Sequence, residues 1–211
     1  MSSRVRDEEN FVAKNRLEAL VDGVFAFAMT LLVVSLTIPS IPKAKAAVEL
    51  PVYISGMTQE FMSFIIAFLL LAVFWTVHHR HFHFLRTINS RVLWLNIFIL
   101  IGIVLVPFTT SVSGDYSDVP IAVILFHVNL LAIGLLFLVH WCYITHVPGL
   151  IEPPVDERTI WWGIIRGFVT PVVAVTAIIL ALFVPSYSTL TYLLIPPSMI
   201  LIRGFSGRQV R

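Results

Sequence analysis

Of the chain's 211 residues, 58% are hydrophobic and 12% charged, and the formal net charge is +2. That is about half the charge of a soluble domain, and a water-soluble fold of this size could not hide so much apolar surface. The weak, scattered positive charge excludes a nucleic-acid binder, and Cys142, the single cysteine, excludes an intrachain disulfide framework or thiolate metal cluster.

A bilayer core about 30 Å thick takes roughly 20 mostly apolar residues per helical span. On that measure residues 1–211 read as one all-α unit, without internal repeat or second domain, that crosses a membrane six times: 17–38, 59–79, 92–112, 120–141, 160–184 and 187–203. Residues up to Arg16 are polar, and the apolar stretch after them is too long for a signal-peptide core, so it reads as a retained first helix. Runs such as Phe61 to Val77 lack the two-residue alternation of a barrel wall. Helices satisfy their own backbone in lipid. Pro39, Pro42, Pro51, Pro107, Pro120, Pro148, Pro153, Pro154 and Pro185 are expected at or near span ends. Pro171 and the pair Pro196 and Pro197 are expected to kink the last two spans.

Basic residues set the orientation. Arg4, Arg6, Lys14 and Arg16 precede the first span, Arg80, Arg86 and Arg91 follow the second, Arg158 follows the fourth, and Arg203, Arg208 and Arg211 close the chain. All share one side, while the other has only Lys43 and Lys45 in the first loop. Both termini are therefore expected in the cytoplasm, in a multi-pass protein of the cell membrane.

Within the first span, Gly23, Phe27, Thr30, Val34 and Thr37 recur at helical spacing and form one stripe. Two readings stay open: ordinary packing between membrane helices, where small and hydroxyl residues are favoured, or the lining of a pore. Asp22 lies about a turn and a half inside the same helix, where an acid needs a partner, water or a snorkelling path to the interface. Arg16 stands about 240° around the helix from it, so donors are expected from other helices: Trp75 and His78 on the second span and Asn96 on the third.

The run His78-His79-Arg80-His81-Phe82-His83 places His79 and His83 at a spacing that two metal ligands can share. His127, His140 and His146 complete no further box, and Arg80 opposes a cation. Capping and hydrogen bonding at the end of the second span is the reading preferred to metal. Arg166 in the fifth span is expected to snorkel toward the headgroups beside Trp161 and Trp162. No catalytic triad, phosphate loop or carboxylate pair appears, so no enzyme activity and no cofactor are expected.

Three motifs carry a family resemblance: Arg16 with Leu20, Val21 and Asp22 running into Gly23-Val-Phe-Ala-Phe27-Ala-Met-Thr30-Leu31-Leu-Val-Val34; Trp75, His78, His79 and Phe82; and Leu95-Asn96 through Pro107-Phe108. Together they resemble the prokaryotic branch of the transmembrane protein 175 family of potassium channels; the later spans match only as hydrophobic stretches. The resemblance implies a homotetramer in the lipid bilayer, with potassium as the permeant ion and the first span of each subunit lining a central pore. It places an apolar constriction at Phe27, a hydroxyl layer at Thr30, further lining at Leu31 and Val34, and a supporting polar network on Arg16, Asp22, Trp75, His78 and Asn96. Leu20 and Val21 replace the family's Phe-Ser, and Phe27 stands where isoleucine or leucine is usual. The rival classes are a proton-coupled or secondary transporter titrating Asp22 and His78, and a metal-dependent enzyme built on the histidines.

Overall fold

The computed structural model describes the backbone of residues 3–37, 40–152 and 154–208, and the side chains from Lys14 to Ile202 within them except Ser35. Ile38, Pro39, Pro153 and Arg211 lie outside the described residues, as do the side chains of Arg4, Arg6, Arg203 and Arg208. The described elements are helical: α1 (Ser3–Leu31) continued by a 3₁₀ turn (Leu32–Ser35), α2 (Lys43–Gly56), α3 (Thr58–Phe84), α4 (Ser90–Asp115), α5 (Pro120–His146), α6 (Glu157–Ala181), α7 (Pro185–Ser188), a second 3₁₀ segment (Thr189–Leu194) and α8 (Ile195–Arg208). Five stretches among them are long and apolar enough to cross a membrane: 14–34, 58–84, 90–115, 120–146 and 157–181.

The α3 helix, with 27 residues, extends about 40 Å at 1.5 Å per residue, more than a hydrocarbon core requires. Asn89 starts α4 by accepting from the Val92 N–H at 2.9 Å, and Asp156 starts α6 by accepting from the Thr159 N–H at 3.2 Å. Each supplies an acceptor to a backbone donor that has no partner within its helix. A hydrogen bond from the Thr159 side chain is the main reason the exposed Asp156 carboxyl is held below the usual carboxylate range, and the Thr159 N–H adds to it. Pro120 opens α5, where its missing N–H is harmless.

Apolar faces meet in one core. Val21, Phe25, Ala28 and Leu32 pack with Leu70 and Phe74 of α3, Ile99 and Ile103 of α4, Leu130 and Phe137 of α5, and Ala174 and Ala177 of α6. A second cluster closes the basic end around Leu17, Phe82, Val92, Trp141 and Ile144. Glycines permit the closest approaches: a Cβ on Gly163 would lie 2.2 Å from Trp141 Nε1, and one on Gly102 would lie 2.6 Å from Ile133 Cγ1. Outward faces stay apolar, as at Phe98 and Phe108 of α4 and Phe168 and Val172 of α6. Such a surface suits lipid, and the chain is a multi-pass membrane protein.

The structure corrects several expectations. Residues 43–56, expected as a loop with Lys43 and Lys45, form α2, which has no buried residue; an i,i+4 pair of Lys45 and Glu49 at 3.7 Å supports it. Pro51 and Pro107 sit inside α2 and α4 rather than near span ends. Beyond Pro107, Thr109 and Thr110 donate to the Leu105 and Val106 carbonyls, which lie past the Ile103 carbonyl that the proline leaves without its helical donor.

The last expected span, 187–203, is not one helix. It is broken at Thr189–Leu194, and Pro196 and Pro197 fall in the first turn of α8, where proline initiates rather than kinks. Two bonds hold the break against α5. Tyr192 Oη donates to His127 Nδ1 at 3.1 Å, and His127 Nε2 donates to Ser188 Oγ at 2.9 Å. The Ser188 hydroxyl in turn donates to the Pro185 carbonyl at 2.7 Å, so each buried polar group in the chain of contacts has a partner.

Candidate functional site

The α1 helix presents two different faces. Leu17, Val21, Phe25, Ala28 and Leu32 recur every three or four residues and are buried, while Phe27 and Val34 are each 66% exposed and Leu31 36%. Gly23 and Thr30 lie on the same outer face, and a Cβ on Gly23 would meet nothing within 4 Å. An open concavity of about 410 Å³ runs along it, lined by Leu20, Gly23, Phe27, Leu31 and Val104 of α4. Thr30 donates its hydroxyl to the Phe27 carbonyl at 2.8 Å. That bond uses the hydrogen and leaves oxygen lone pairs outward.

The stripe is shorter than expected. Thr37 lies beyond the helix, without regular structure, and its carbonyl accepts from Tyr53 Oη at 3.2 Å. Val34 sits in the 3₁₀ turn, where each residue advances about 120° rather than 100°.

The polar groups behind this face separate into two pairs. Trp75 Nε1 of α3 donates to Asp22 Oδ1 of α1 at 2.8 Å. His78 Nε2 donates instead to Asn96 Oδ1 of α4 at 2.7 Å, so Asn96, not Asp22, is its acceptor. The first pair is exposed at the chain surface and the second is buried. The His78 ring stacks on Phe82 at 4.2 Å and lies 6.3 Å from Phe25, which ties the inner pair to the α1 core face. Arg16 is exposed, and the described contacts do not join it to either pair.

The histidine run lies on the last turns of α3. His79 and His83 face outward, while buried His81 pairs with His140 of α5, ring nitrogens 3.2 Å apart and rings parallel within 3°. Among the described residues no group of three or more His, Cys, Asp or Glu side chains could hold a metal ion. The His81–His140 and His127–Tyr192 pairs were not foreseen. Their signal was present, since a histidine inside an apolar span needs a partner, but its partner is remote in sequence.

The basic end is held by a clasp. Lys14 of α1 donates to the Leu85 carbonyl at 2.7 Å, the Arg86 N–H donates to the Leu150 carbonyl at 2.8 Å, and the Arg86 side chain pairs with Glu152. Gly149, at φ 82°, lets the Pro148–Gly149 turn bring the α5–α6 loop back against the α3–α4 loop.

A family model described as endosomal/lysosomal potassium channel TMEM175 matches residues 16–107. Over that stretch the chain is similar to TMEM175. That stretch runs from the start of the first apolar span to Pro107 of α4 and contains all nine residues of the candidate site. A protein named as a potassium channel of Streptomyces collinus is 29% identical over 147 residues, 67% of this chain and 69% of its own length. The endosomal/lysosomal proton channel TMEM175 of Mus musculus is 26% identical over 198 residues, 90% of this chain but 38% of the mouse protein. Among solved structures, a lysosomal potassium-selective channel TMEM175 homolog from Chamaesiphon minutus superposes with a TM-score of 0.76 at 23% identity, covering 93% of this chain and 99% of that one. That likeness shows the TMEM175 fold, including the helices beyond the family match.

Proposed function

We propose that this chain is the subunit of a passive, potassium-permeable cation channel, a homotetramer in which four α1 helices surround a central pore. The observation that carries the proposal is the two-faced α1. Its core face is fully used within the chain, while Phe27, Thr30, Leu31 and Val34 are left uncovered. The relatives named as potassium channels support the same reading. No reaction step is involved.

In this arrangement the Phe27 rings form the narrowest, water-excluding collar. Beside it, Thr30 offers oxygen lone pairs to a partly dehydrated cation, because its hydrogen is already bound to the helix. Leu31 and Val34 continue the lining. The Asp22–Trp75 and His78–Asn96 bonds hold α1 against α3 and α3 against α4, and Arg16 belongs to the same support at the basic end. Both termini lie in the cytoplasm, and the broken segment is the sixth crossing. If collinear, α7, the 3₁₀ segment and α8 extend roughly 39 Å at about 1.5 and 2.0 Å per residue.

Planar-bilayer recording of purified protein under a potassium-to-sodium gradient tests the proposal. Phe27→Ala is expected to raise leak current, and Thr30→Val to shift the reversal potential. Unchanged currents and reversal potentials in both variants would reject the pore assignment. The proton-channel name of the animal relatives supports one further arm: a reversal potential that follows an imposed pH gradient, and not potassium, would make protons the permeant ion.

A further inference from the structure

A second cavity lies outside the α1 face, between α3, α5 and α6 with Met199 of α8 beside it, and occupies about 140 Å³. Val73, Val77 and Phe137 supply apolar wall, and Gly134, Gly163 and Gly167 border the space without a side chain to fill it. The glycines also mark its length. Gly134 lies against Thr170 and Gly163 against Trp141, two turns apart along both α5 and α6, or about 10 Å.

His81 gives one end of the cavity a polar handle. Only 7% exposed, it borders the space with an imidazole whose hydrogen bonding is half complete. Its Nδ1 meets His140 Nδ1 at 3.2 Å, while no described residue bonds its Nε2. Buried polar groups are ordinarily partnered, so the ring asks for an occupant that hydrogen-bonds. Thr170, also buried on the lining, stands at the other end. Charge is not part of the demand: Arg166 already interacts within the chain, and Arg80 is exposed.

We infer that this cavity binds a neutral, membrane-soluble alcohol, its hydroxyl on His81 Nε2 and its hydrocarbon part between Val77, Phe137 and Gly163. A hydroxyl both donates and accepts, so it satisfies Nε2 in either tautomer of the ring. An apolar cavity of about 150 Å³ takes up benzene, which sets the hydrocarbon part here at about six to eight carbons. His81 stands about one turn from the end of α3, so the polarity of the bilayer itself orients the hydroxyl to that end and the hydrocarbon toward Thr170. Ion conduction is not required for the site, so its failure would leave the channel reading untouched.

Photolabelling of the full chain in dioleoyl phosphatidylcholine nanodiscs with 3-azioctanol, a photoactivatable alkyl alcohol, tests the site, with labelled peptides read by mass spectrometry. Label is expected to saturate in residues 73–84 and 163–170 and to rise without saturation at exposed Phe98. Val77→Trp, which fills the cavity, should abolish the saturable label. In the wild-type chain octanol should displace it about five-fold more effectively than 1-chlorooctane at equal membrane concentration, the worth of one hydrogen bond, and His81→Phe should remove that difference. Saturable label that persists in Val77→Trp, or labelling of the two segments as linear as at Phe98, would overturn the proposal. Equal displacement by the two competitors would overturn it too, since the cavity would then take hydrocarbon alone.

Discussion

At the residue scale, Asp22 shows how one polar demand selects its partner. A carboxylate on a membrane helix is stabilised by donors, and the Trp75 indole supplies one at 2.8 Å. Asp22→Ala leaves that N–H unpaired, whereas Asp22→Asn keeps an acceptor oxygen. The expected order of thermal stability, read by size-exclusion chromatography after heating, is wild type, then Asp22→Asn, then Asp22→Ala, with the alanine variant lower by about 0.5–1.5 kcal/mol, the net worth of one hydrogen bond. Equal melting of the two variants would deny the bond its role. Asn96→Ala is expected to destabilise by about 1–3 kcal/mol, because His78 is buried and Asn96 Oδ1 is its described acceptor. Sequence reasoning named all three donors as candidates for Asp22, since each lay at a suitable depth. Depth along a span does not say which way a side chain points, and here His78 points to α4 while Trp75 points to α1.

Elements follow local rules until a neighbour decides otherwise. The α5–α6 contact is close because Gly163 accepts the Trp141 ring, whose Nε1 donates to the Ile160 carbonyl at 3.1 Å. Gly163→Ala is expected to displace that ring and destabilise the protein by about 1–3 kcal/mol, the usual range for overpacking. Gly23→Ala is the control: no atom stands within 4 Å of the added Cβ, so the single chain should tolerate it, and a change should appear in conductance if α1 lines the pore. Comparable thermal melting of the two variants would contradict the packing account. The broken last span makes the same point from the opposite side. Pro196 and Pro197 suggested a kink in an otherwise continuous helix, but the pair starts α8, and the break lies upstream where Tyr192 and Ser188 bind His127. A contact with α5, remote in sequence, decides how that segment winds.

For the whole molecule, the question is what covers the outer face of α1. Cys142 is the single native cysteine, so a Cys142→Ser background permits a clean crosslinking test. Phe27→Cys or Val34→Cys is expected to yield disulfide-linked dimers on a non-reducing gel, because equivalent residues would face one another across a common axis. Phe168→Cys, on the outward face of α6, should remain monomeric. Dimers from Phe168→Cys alone would place a different surface between subunits and remove α1 from the axis.

By itself the sequence determined the membrane class, the helical state, the first five spans to within a few residues at most ends, and a first span with a distinct polar and aromatic stripe. These depend on hydropathy and on 3.6-residue periodicity, which are local properties. Tertiary structure decided which face of that span the chain keeps for its own core, that residues 43–56 coil into α2, that the final span breaks, and which histidine meets which partner. Those outcomes rest on contacts between segments tens of residues apart, such as His127 with Tyr192 and His81 with His140, and no local pattern encodes the direction from which a distant neighbour arrives.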